Sequence, residues 1–216
     1  MNNIDAIMQK IESGRCYRDM EVRAAGEADQ MNVEGYATTF DDPYLLYSEP
    51  GYKIYEVIDR HALDEADQSD VIMQYDHWGR VFARLSNGTL LLGTDDHGYK
   101  MRANLGGTDI GRQLYQEIAG GYTTKMSWAF RVKDDAREVV RNEETGEITV
   151  TRKILAVSKV YDVSAVSLPA NDATEISARS YCDGVIAELK EERRRAEEEL
   201  AARAAKIAKI KLLSEV

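Results

Sequence analysis

The sequence predicts a mostly β protein with peripheral helices and a long C-terminal helix. Between about residues 20 and 160, short apolar or alternating segments are separated by turn residues, which is typical of strands. Within that region only residues 108–119 have the apolar spacing of an amphipathic helix. After residue 182, Ala, Glu, Arg, Lys and Leu dominate, a composition that favours a long helix. These observations favour a sheet-based barrel or sandwich over a parallel α/β fold.

The composition limits the classes to which the protein can belong. With 216 residues, 44% hydrophobic and 31% charged, the chain can form one packed domain with an appendage. The net charge of −10 argues against nucleic acid or an anionic membrane as a partner, because phosphates require clustered cations. No apolar run is long enough for a membrane span, and the first residues lack the apolar stretch of a secretory signal. Two distant cysteines, Cys16 and Cys182, predict no disulfide framework and fit a reducing compartment.

Apolar periodicity and turn residues locate the shorter elements. Residues 1–13 are expected to form a helix, and residues 62–67 a helical turn. Strands are predicted at residues 21–23, 31–37, 52–58, 71–75, 81–85, 89–92, 99–105, 126–132 and 148–167, the last with a break near residue 158. Turns are predicted at residues 41–43, 86–88, 95–98 and 142–146, and the sequence Ser86-Asn87-Gly88 indicates a hairpin.

Two segments favour longer helices. In residues 108–119 Thr108 is a candidate N-cap, and Gly120-Gly121 is expected to end the helix. From about Asp183 to Leu213 opposite charges recur four residues apart, but the apolar face is thin. Residues 176–216 carry 9 Lys and Arg against 8 Asp and Glu, whereas the rest of the chain is acidic. We therefore expect this tail to be a segment separate from the acidic body. It is either a solvated or partner-bound helix or a segment that is removed or serves for docking.

The three histidines, His61, His77 and His97, are enough in number for a zinc site but are not spaced for one. No two lie four residues apart on a predicted helix, and there is no HExxH motif. His61 lies near a helix start and His97 lies in a polar turn, where solvent exposure explains both. No metal and no cofactor are therefore predicted.

Three other positions suit nucleophilic catalysis if the fold brings them together. His77 follows an apolar strand, which would hold a general base rigidly, although a structural histidine explains it as well. Ser127 lies in an apolar strand without a GxSxG motif, so it is either a small core residue or a nucleophile that needs a nearby histidine. Asp162 is a carboxylate in an apolar run, and it is either exposed or paired with an imidazolium.

The motifs around these residues resemble the prohead (procapsid) maturation proteases of tailed bacteriophages over most of residues 20–180. Residues 33–37 (VEGYA) resemble the opening strand of that family, and residues 55–63 (YEVIDRHAL) resemble its E-x-I-x-P-G-A-F segment. Residues 74–80 (QYDHWGR) resemble the N-H-D…G-R segment with the catalytic histidine. Residues 109–130, ending in MSWAF, resemble the helix, turn and strand that end in M-S-F-G-F, whose serine is the nucleophile. Residues 162–170 (DVSAVSLPA) resemble E-V-S-x-V-x-x-P-A.

This resemblance implies a fold and a set of catalytic residues. The family is similar to the herpesvirus assemblin proteases, which implies a closed or nearly closed β-barrel with helices around it. It also implies that Ser127 is the nucleophile, His77 the general base and Asp162 the acid that orients the imidazole. Because Asp162 stands where Glu is common, His61 and His97 remain alternatives for the third member. The candidate oxyanion donors are Arg80, Arg131 and Arg152.

The resemblance further implies a serine endopeptidase of capsid maturation. Such an enzyme acts inside the assembling prohead, in the host bacterial cytoplasm, on scaffold or major capsid protein and on itself. We expect an N-terminal helical extension at residues 1–19, a protease domain at 20–180, and a helical tail at 181–216 that is removed by self-cleavage or docks to the capsid. Neither nucleic acid nor membrane is an expected partner, and homo-oligomerisation stays open. The alternatives are a non-enzymatic capsid assembly or scaffold protein and a histidine-based metallohydrolase.

Overall fold

A computed structural model describes residues 16–167 and 172–214, so the helix expected at residues 1–13 lies outside the described residues. The chain divides into two units, the first ending at Ala178 and the second beginning at Arg179. The described part of the first unit is mostly β, and the second unit belongs to a long helix. The mostly β class with a C-terminal helix is therefore confirmed.

The strands are β1 (Cys16–Ala25), β2 (Asn32–Thr39), β3 (Tyr44–Glu49), β4 (Tyr52–Ile58), β5 (Ile72–Tyr75), β6 (Trp78–Arg84), β7 (Leu90–Thr94), β8 (Gly98–Asn104), β9 (Lys125–Arg141) and β10 (Ile148–Val166). The helices are α1 (Asp109–Ala119) and α2 (Asp172–Ser214). Short 3-10 turns occur at Ala28–Gln30 and Leu85–Asn87. β1 begins inside the region assigned to an N-terminal extension, and α2 begins at Asp172 rather than at Asp183.

β10 pairs with three other strands, β4, β5 and β9. One edge pairs with β9 in antiparallel orientation along almost its whole length. The other edge is shared, because residues 148–154 pair in parallel with β4 while Asp162 and Ala165 pair in parallel with β5. The break expected near residue 158 is a series of register shifts between Ile154 and Asp162 within one continuous strand. Such bulges bend a strand and allow it to serve two neighbours on one edge.

The sheet is open, so the expected closed β-barrel is wrong. Its strands run in the order β3-β4-β10-β9-β1-β2-β8-β7, with β5 and β6 branching from β10. Among the described residues the end strands β3 and β7 do not pair with each other. A barrel closes only when every strand keeps one neighbour on each edge. Here β10 divides one edge between β4 and β5, and β1 changes partner from β9 to β2 after Glu21.

The change of partner along β1 depends on a glycine in β2. Val22 is the first residue of β1 that pairs with β2, and its partner is Gly35. A Cβ atom on Gly35 would lie 2.4 Å from the carbonyl oxygen of Glu21. Only glycine therefore allows the two backbones to approach at this bend.

The hairpin predicted at Ser86-Asn87-Gly88 is wrong. The segment forms a 3-10 turn that ends at Gly88, whose φ is 74°. β6, before the turn, pairs with β5, whereas β7, after it, pairs with β8. The turn thus leads the chain from the branch at β5 and β6 to the other end of the sheet. The turn predicted at residues 95–98 does connect a hairpin, formed by β7 and β8.

The apolar core of the first unit lies on one face of β9 and of the end of β10. Trp128 and Phe130 on β9 stack at 3.9 Å between ring centroids and are fully buried with Val163 and Ala165 of β10. Burying a side chain of this size stabilises a fold by about 1.5–3 kcal/mol. α1 adds Leu114, Tyr115 and Ile118 to the core, and its predicted N-cap, Thr108, accepts a hydrogen bond from Gly111 N. Because side chains alternate along a strand, the residues between these core positions point to the opposite face.

A buried network of ion pairs fixes the first half of β1. Arg18 donates to both carboxylate oxygens of Glu56, at 2.6 and 2.7 Å. Arg152 donates to Glu56 at 3.3 Å and to Asp135 at 2.7 Å. Burial lowers the pKa of Arg18, but Glu56 outweighs burial and raises it above its ordinary value. The network joins β1, β4, β9 and β10.

The second unit begins within α2. Arg193, Arg194 and Arg195 each pair with a glutamate three or four residues away, as in the pair Glu191–Arg195, whose charged atoms are 2.9 Å apart. Arg194 and Arg195 lower the pKa of Glu191 to about 2. None of the helices in residues 16–167 and 172–214 combines the length and the apolar character needed to cross a membrane.

Candidate active site

His77 occupies the tip of the hairpin formed by β5 and β6. Tyr75 pairs with Trp78, so Asp76 and His77 form a two-residue turn, and their φ angles are 49° and 56°. Positive φ angles at both central residues are typical of the type I′ hairpin turn, which usually contains Asn-Gly. A non-glycine residue in this region stores roughly 1 kcal/mol of strain, and such residues cluster at functional sites. The sequence placed His77 at the end of a strand, and the structure places it in the turn itself.

Asp76 fastens this turn to β10. Its backbone N–H donates to the carbonyl oxygen of Ala165 at 2.9 Å. Its carboxylate accepts hydrogen bonds from the backbone N–H of Ser167 at 2.9 Å and from the Ser167 hydroxyl at 3.1 Å. These bonds offset the strain of the turn and hold His77 over the end of β10.

Asp162 is the partner of His77. His77 Nδ1 lies 2.5 Å from Asp162 Oδ1, and the two residues are 0% and 2% exposed. A carboxylate only accepts hydrogen bonds, so Nδ1 carries the proton and donates it, which places the lone pair of the neutral ring on Nε2. The basic nitrogen of His77 is therefore the one that faces away from Asp162.

Ser164 is a second donor to the same carboxylate. Its hydroxyl donates to Asp162 Oδ1 at 2.6 Å, and the residue is fully buried. Asp162 and Ser164 are two positions apart on β10 and therefore lie on the same face of the sheet.

Ser127 lies on β9, directly across from Ser164. It pairs with Ser164 on one side and with Asp19 of β1 on the other. Directly opposite residues in an antiparallel pair have Cβ atoms about 5 Å apart. Ser127 is fully buried, and within the described residues its hydroxyl has no hydrogen-bond partner. The sheet thus gathers Ser127, Ser164, Asp162 and His77 on the face opposite the Trp128 core.

The three sequence-predicted catalytic residues are brought together in part. His77 and Asp162 form a direct hydrogen bond although 85 positions separate them. Ser127 is next to this pair, one strand away, and its hydroxyl does not hydrogen-bond to the His77 ring. Trp128, its neighbour in sequence, is buried in the apolar core and stacks on Phe130.

The other histidines and arginines named from the sequence lie elsewhere. His61 is exposed and contacts Asp64 at 3.0 Å, and His97 packs edge-on against Tyr36. Of the three residues that the sequence offered as partners for His77, Asp162 is the one whose hydrogen bond to His77 the structure shows. Arg152 donates hydrogen bonds to Glu56 and Asp135, whereas Arg80 and Arg131 are exposed. In residues 16–167 and 172–214 no three His, Cys, Asp or Glu side chains are arranged to hold a metal ion.

Sequence reasoning missed two residues of this site. Ser164 lies within the motif DVSAV, and its spacing of two from Asp162 on a strand is the signal that could have placed it in the site. Asp76 was missed because no local pattern shows that a two-residue turn will form between Tyr75 and Trp78. A groove of about 750 Å³ lined by β1, β2 and β8 residues such as Tyr36 and Lys100 does not include Ser127, His77 or Asp162.

Residues 18–185 match the family model of the caudovirus prohead serine proteases. The chain belongs to this family. The matched range contains His77, Ser127 and Asp162, and membership favours a serine protease over a scaffold protein or a metallohydrolase.

One solved structure is similar to this member of the prohead protease family. The bacteriophage T4 capsid assembly protease matches 71% of this chain and 98% of its own, with 9% sequence identity and a TM-score of 0.36. No curated protein sequence matches the chain.

Proposed function

We propose that this protein is a serine endopeptidase that cleaves major capsid protein or scaffold, and itself, inside the prohead during capsid maturation. Membership of the prohead serine protease family supports the class of enzyme and the setting in an infected bacterium. The observation that carries the proposal is the buried hydrogen bond of 2.5 Å between His77 and Asp162, one strand away from Ser127.

In the proposed reaction Ser127 Oγ attacks the scissile carbonyl carbon while His77 Nε2 takes up the hydroxyl proton. The tetrahedral intermediate then collapses, the imidazolium gives its proton to the leaving amine, and an acyl ester remains on Ser127. Water, deprotonated by His77, hydrolyses that ester and restores the serine. Asp162 keeps the ring in the tautomer with its lone pair on Nε2 and stabilises the imidazolium that forms.

The burial of the site adds a requirement to this proposal. Ser127 and His77 are both 0% exposed, so a peptide reaches them only after the groups that cover them move. In the reactive state Ser127 Oγ must lie about 3 Å from His77 Nε2. We therefore infer that the described arrangement is a closed state, in which acid and base are already joined and the nucleophile is not yet engaged.

The test compares the wild type with Ser127→Ala. Each is co-expressed with the major capsid protein encoded by the same phage, and products are identified by intact-mass spectrometry. We expect cleavage of the capsid protein, and of the tail of the protease itself, by the wild type only, since loss of a catalytic serine lowers the rate by about 10⁴-fold or more. A fluorophosphonate probe is expected to attach to Ser127 in the wild type.

Ser158→Ala is the matched control, because Ser158 is on β10 but its hydroxyl donates to the carbonyl of Arg131. It should cleave as the wild type does, and a chelator should leave cleavage unchanged. Capsid protein cut equally by the wild type and by Ser127→Ala would overturn the proposal, as would the absence of both cleavage and label in the wild type. An identical, uncut tail in both proteins would remove self-cleavage of the tail alone.

A further inference from the structure

We propose that Ser164 is a positioning residue, whose hydroxyl holds the Asp162 carboxylate in the orientation that receives His77. The catalytic consequence of this inference rests on the proposed function, whereas the effect on the His77–Asp162 pair does not. Ser164 is not expected to touch the substrate and would act through Asp162.

The geometry places two donors on one oxygen atom. Ser164 Oγ donates to Asp162 Oδ1 at 2.6 Å, and His77 Nδ1 donates to the same oxygen at 2.5 Å. All three residues are between 0% and 2% exposed. In so dry a site a hydrogen bond to a carboxylate is strong, and a carboxylate that loses a donor is poorly stabilised.

The backbone of Ser164 belongs to a strand that is paired on both edges, which fixes the position from which its hydroxyl donates. At this point β10 is paired on both edges, since Ser164 is across from Ser127 of β9 while Asp162 and Ala165 pair with β5. The hydroxyl is therefore presented from a strand that is held on two sides. His77, by contrast, lies in a two-residue turn, so the rigid side of the site is the one that carries Asp162 and Ser164.

The hydroxyl also limits the rotation of the carboxylate. Ser164 Oγ and His77 Nδ1 both donate to Asp162 Oδ1, so a rotation of the carboxylate breaks both hydrogen bonds. Without the hydroxyl one of these bonds is lost. The carboxylate is then expected to turn more freely, and the hydrogen bond from His77 Nδ1 to lengthen.

A serine that only fills space predicts a different outcome. Ser164→Ala would then leave the hydrogen bond between His77 Nδ1 and Asp162 unchanged, because alanine removes one small atom from a buried site. The two roles are therefore distinguished by the NMR signal of the Nδ1 proton, since a change in stability alone does not identify the function of the hydroxyl.

The experiment uses the full-length protein with Ser164→Ala, Ser164→Thr and, as matched control, Ser158→Ala. The NMR signal of the His77 Nδ1 proton reports the strength of its hydrogen bond to Asp162, and cleavage of the capsid protein is measured at the same pH. We expect this signal to move upfield in Ser164→Ala, because a proton in a longer hydrogen bond resonates upfield. We also expect kcat to fall on the order of tenfold with KM unchanged, as for loss of one charge-assisted hydrogen bond.

The threonine variant should restore the wild-type signal of the His77 Nδ1 proton because it retains the hydroxyl, and Ser158→Ala should match the wild type throughout. If the added methyl of threonine prevents folding, Ser164→Cys replaces it and should give an intermediate change in the signal, since a thiol is a weak donor. A signal in Ser164→Ala at the wild-type position would overturn the inference. A wild type that does not cleave would count against the proposed function only, because the NMR signal still tests Ser164.

Discussion

At the scale of single residues, the site depends on a turn that is unfavourable for the residues in it. Asp76 and His77 both have positive φ, where glycine or asparagine is usual, and His77 is completely buried. The hydrogen bonds from Ser167 to Asp76 and from His77 to Asp162 stabilise this conformation. The strain is therefore located at the residue that we propose as the general base, a role that requires a fixed orientation of the ring.

Because the Asp162 carboxylate sets the tautomer of His77, two substitutions of Asp162 are expected to give different results. In Asp162→Asn the side-chain amide can donate to Nδ1, which moves the ring proton to Nε2 and removes the base. We expect kcat/KM for cleavage of the capsid protein to fall by about 10⁴-fold, as expected when a triad acid is replaced by its amide.

Asp162→Glu keeps the charge and should retain measurable activity, because related proteases commonly have Glu at this position. Both variants should have the same far-UV circular dichroism as the wild type. An Asp162→Asn protein that is as active as Asp162→Glu would contradict the assigned role of the carboxylate.

At the scale of secondary-structure elements, β1 connects the ion network to the site. Its residues 16–21 pair with β9, and Asp19 is directly across from Ser127. The neighbouring Arg18 is held by Glu56 of β4, which also binds Arg152 of β10. One buried carboxylate thus binds arginines on the two strands that flank Ser127, the proposed nucleophile.

Glu56→Gln is expected to lower the free energy of unfolding by about 3–5 kcal/mol, because it leaves two buried guanidinium groups without their full counter-charge. Urea denaturation at neutral pH measures the change. Glu34→Gln is the control, since its partner Arg23 is largely exposed and such a pair contributes about 1 kcal/mol or less. Equal losses in the two variants would show that the network does not stabilise β1.

The pH dependence of stability has a contribution from the segment between β4 and β5. Lys159, at 2.5 Å, and Ser69 lower the pKa of Asp67 below its ordinary value of about 4. A lowered pKa gives stability that is present above the unfolded-state pKa and is lost as the pH falls towards the folded-state value. The urea midpoint of the wild type should therefore fall more steeply below about pH 4 than that of Asp67→Asn. Lys159→Gln should flatten the profile in the same way, and parallel profiles for all three proteins would exclude this contribution.

At the scale of the whole molecule, the chain combines a β unit and a helical unit with different compositions. The apolar core is formed mostly by residues of β strands and α1, with a few from the connecting segments, whereas the described side chains from Glu192 to Ile207 are exposed. The charged pairs along α2 add little stability, because exposed pairs of this kind contribute about 0.3–0.5 kcal/mol each. The acidic body and the tail of balanced charge can therefore be tested separately.

Truncation after Lys190 is expected to shift the melting temperature by less than about 2 °C, since loss of exposed surface groups changes stability by about 0.5 kcal/mol or less. Differential scanning calorimetry of the full and shortened proteins makes the comparison, and far-UV circular dichroism should show the lost helix. A much larger drop would mean that residues 191–216 stabilise the β unit.

The sequence by itself determined the mostly β class, the helix at residues 109–119 with its cap, and a family resemblance that the family model confirmed. These features are local, because alternation, capping and motif spacing are properties of neighbouring residues. Ser127, His77 and Asp162 remain predictions as a catalytic set, but their separate motifs were visible in the sequence. Only the tertiary structure decided which strands pair, that β10 divides an edge between β4 and β5, and that His77 sits in a strained turn against Asp162 and Ser164. Alternation assigns a side chain to a face of a strand but does not select the neighbouring strand, since pairing depends on contacts between residues far apart in the chain.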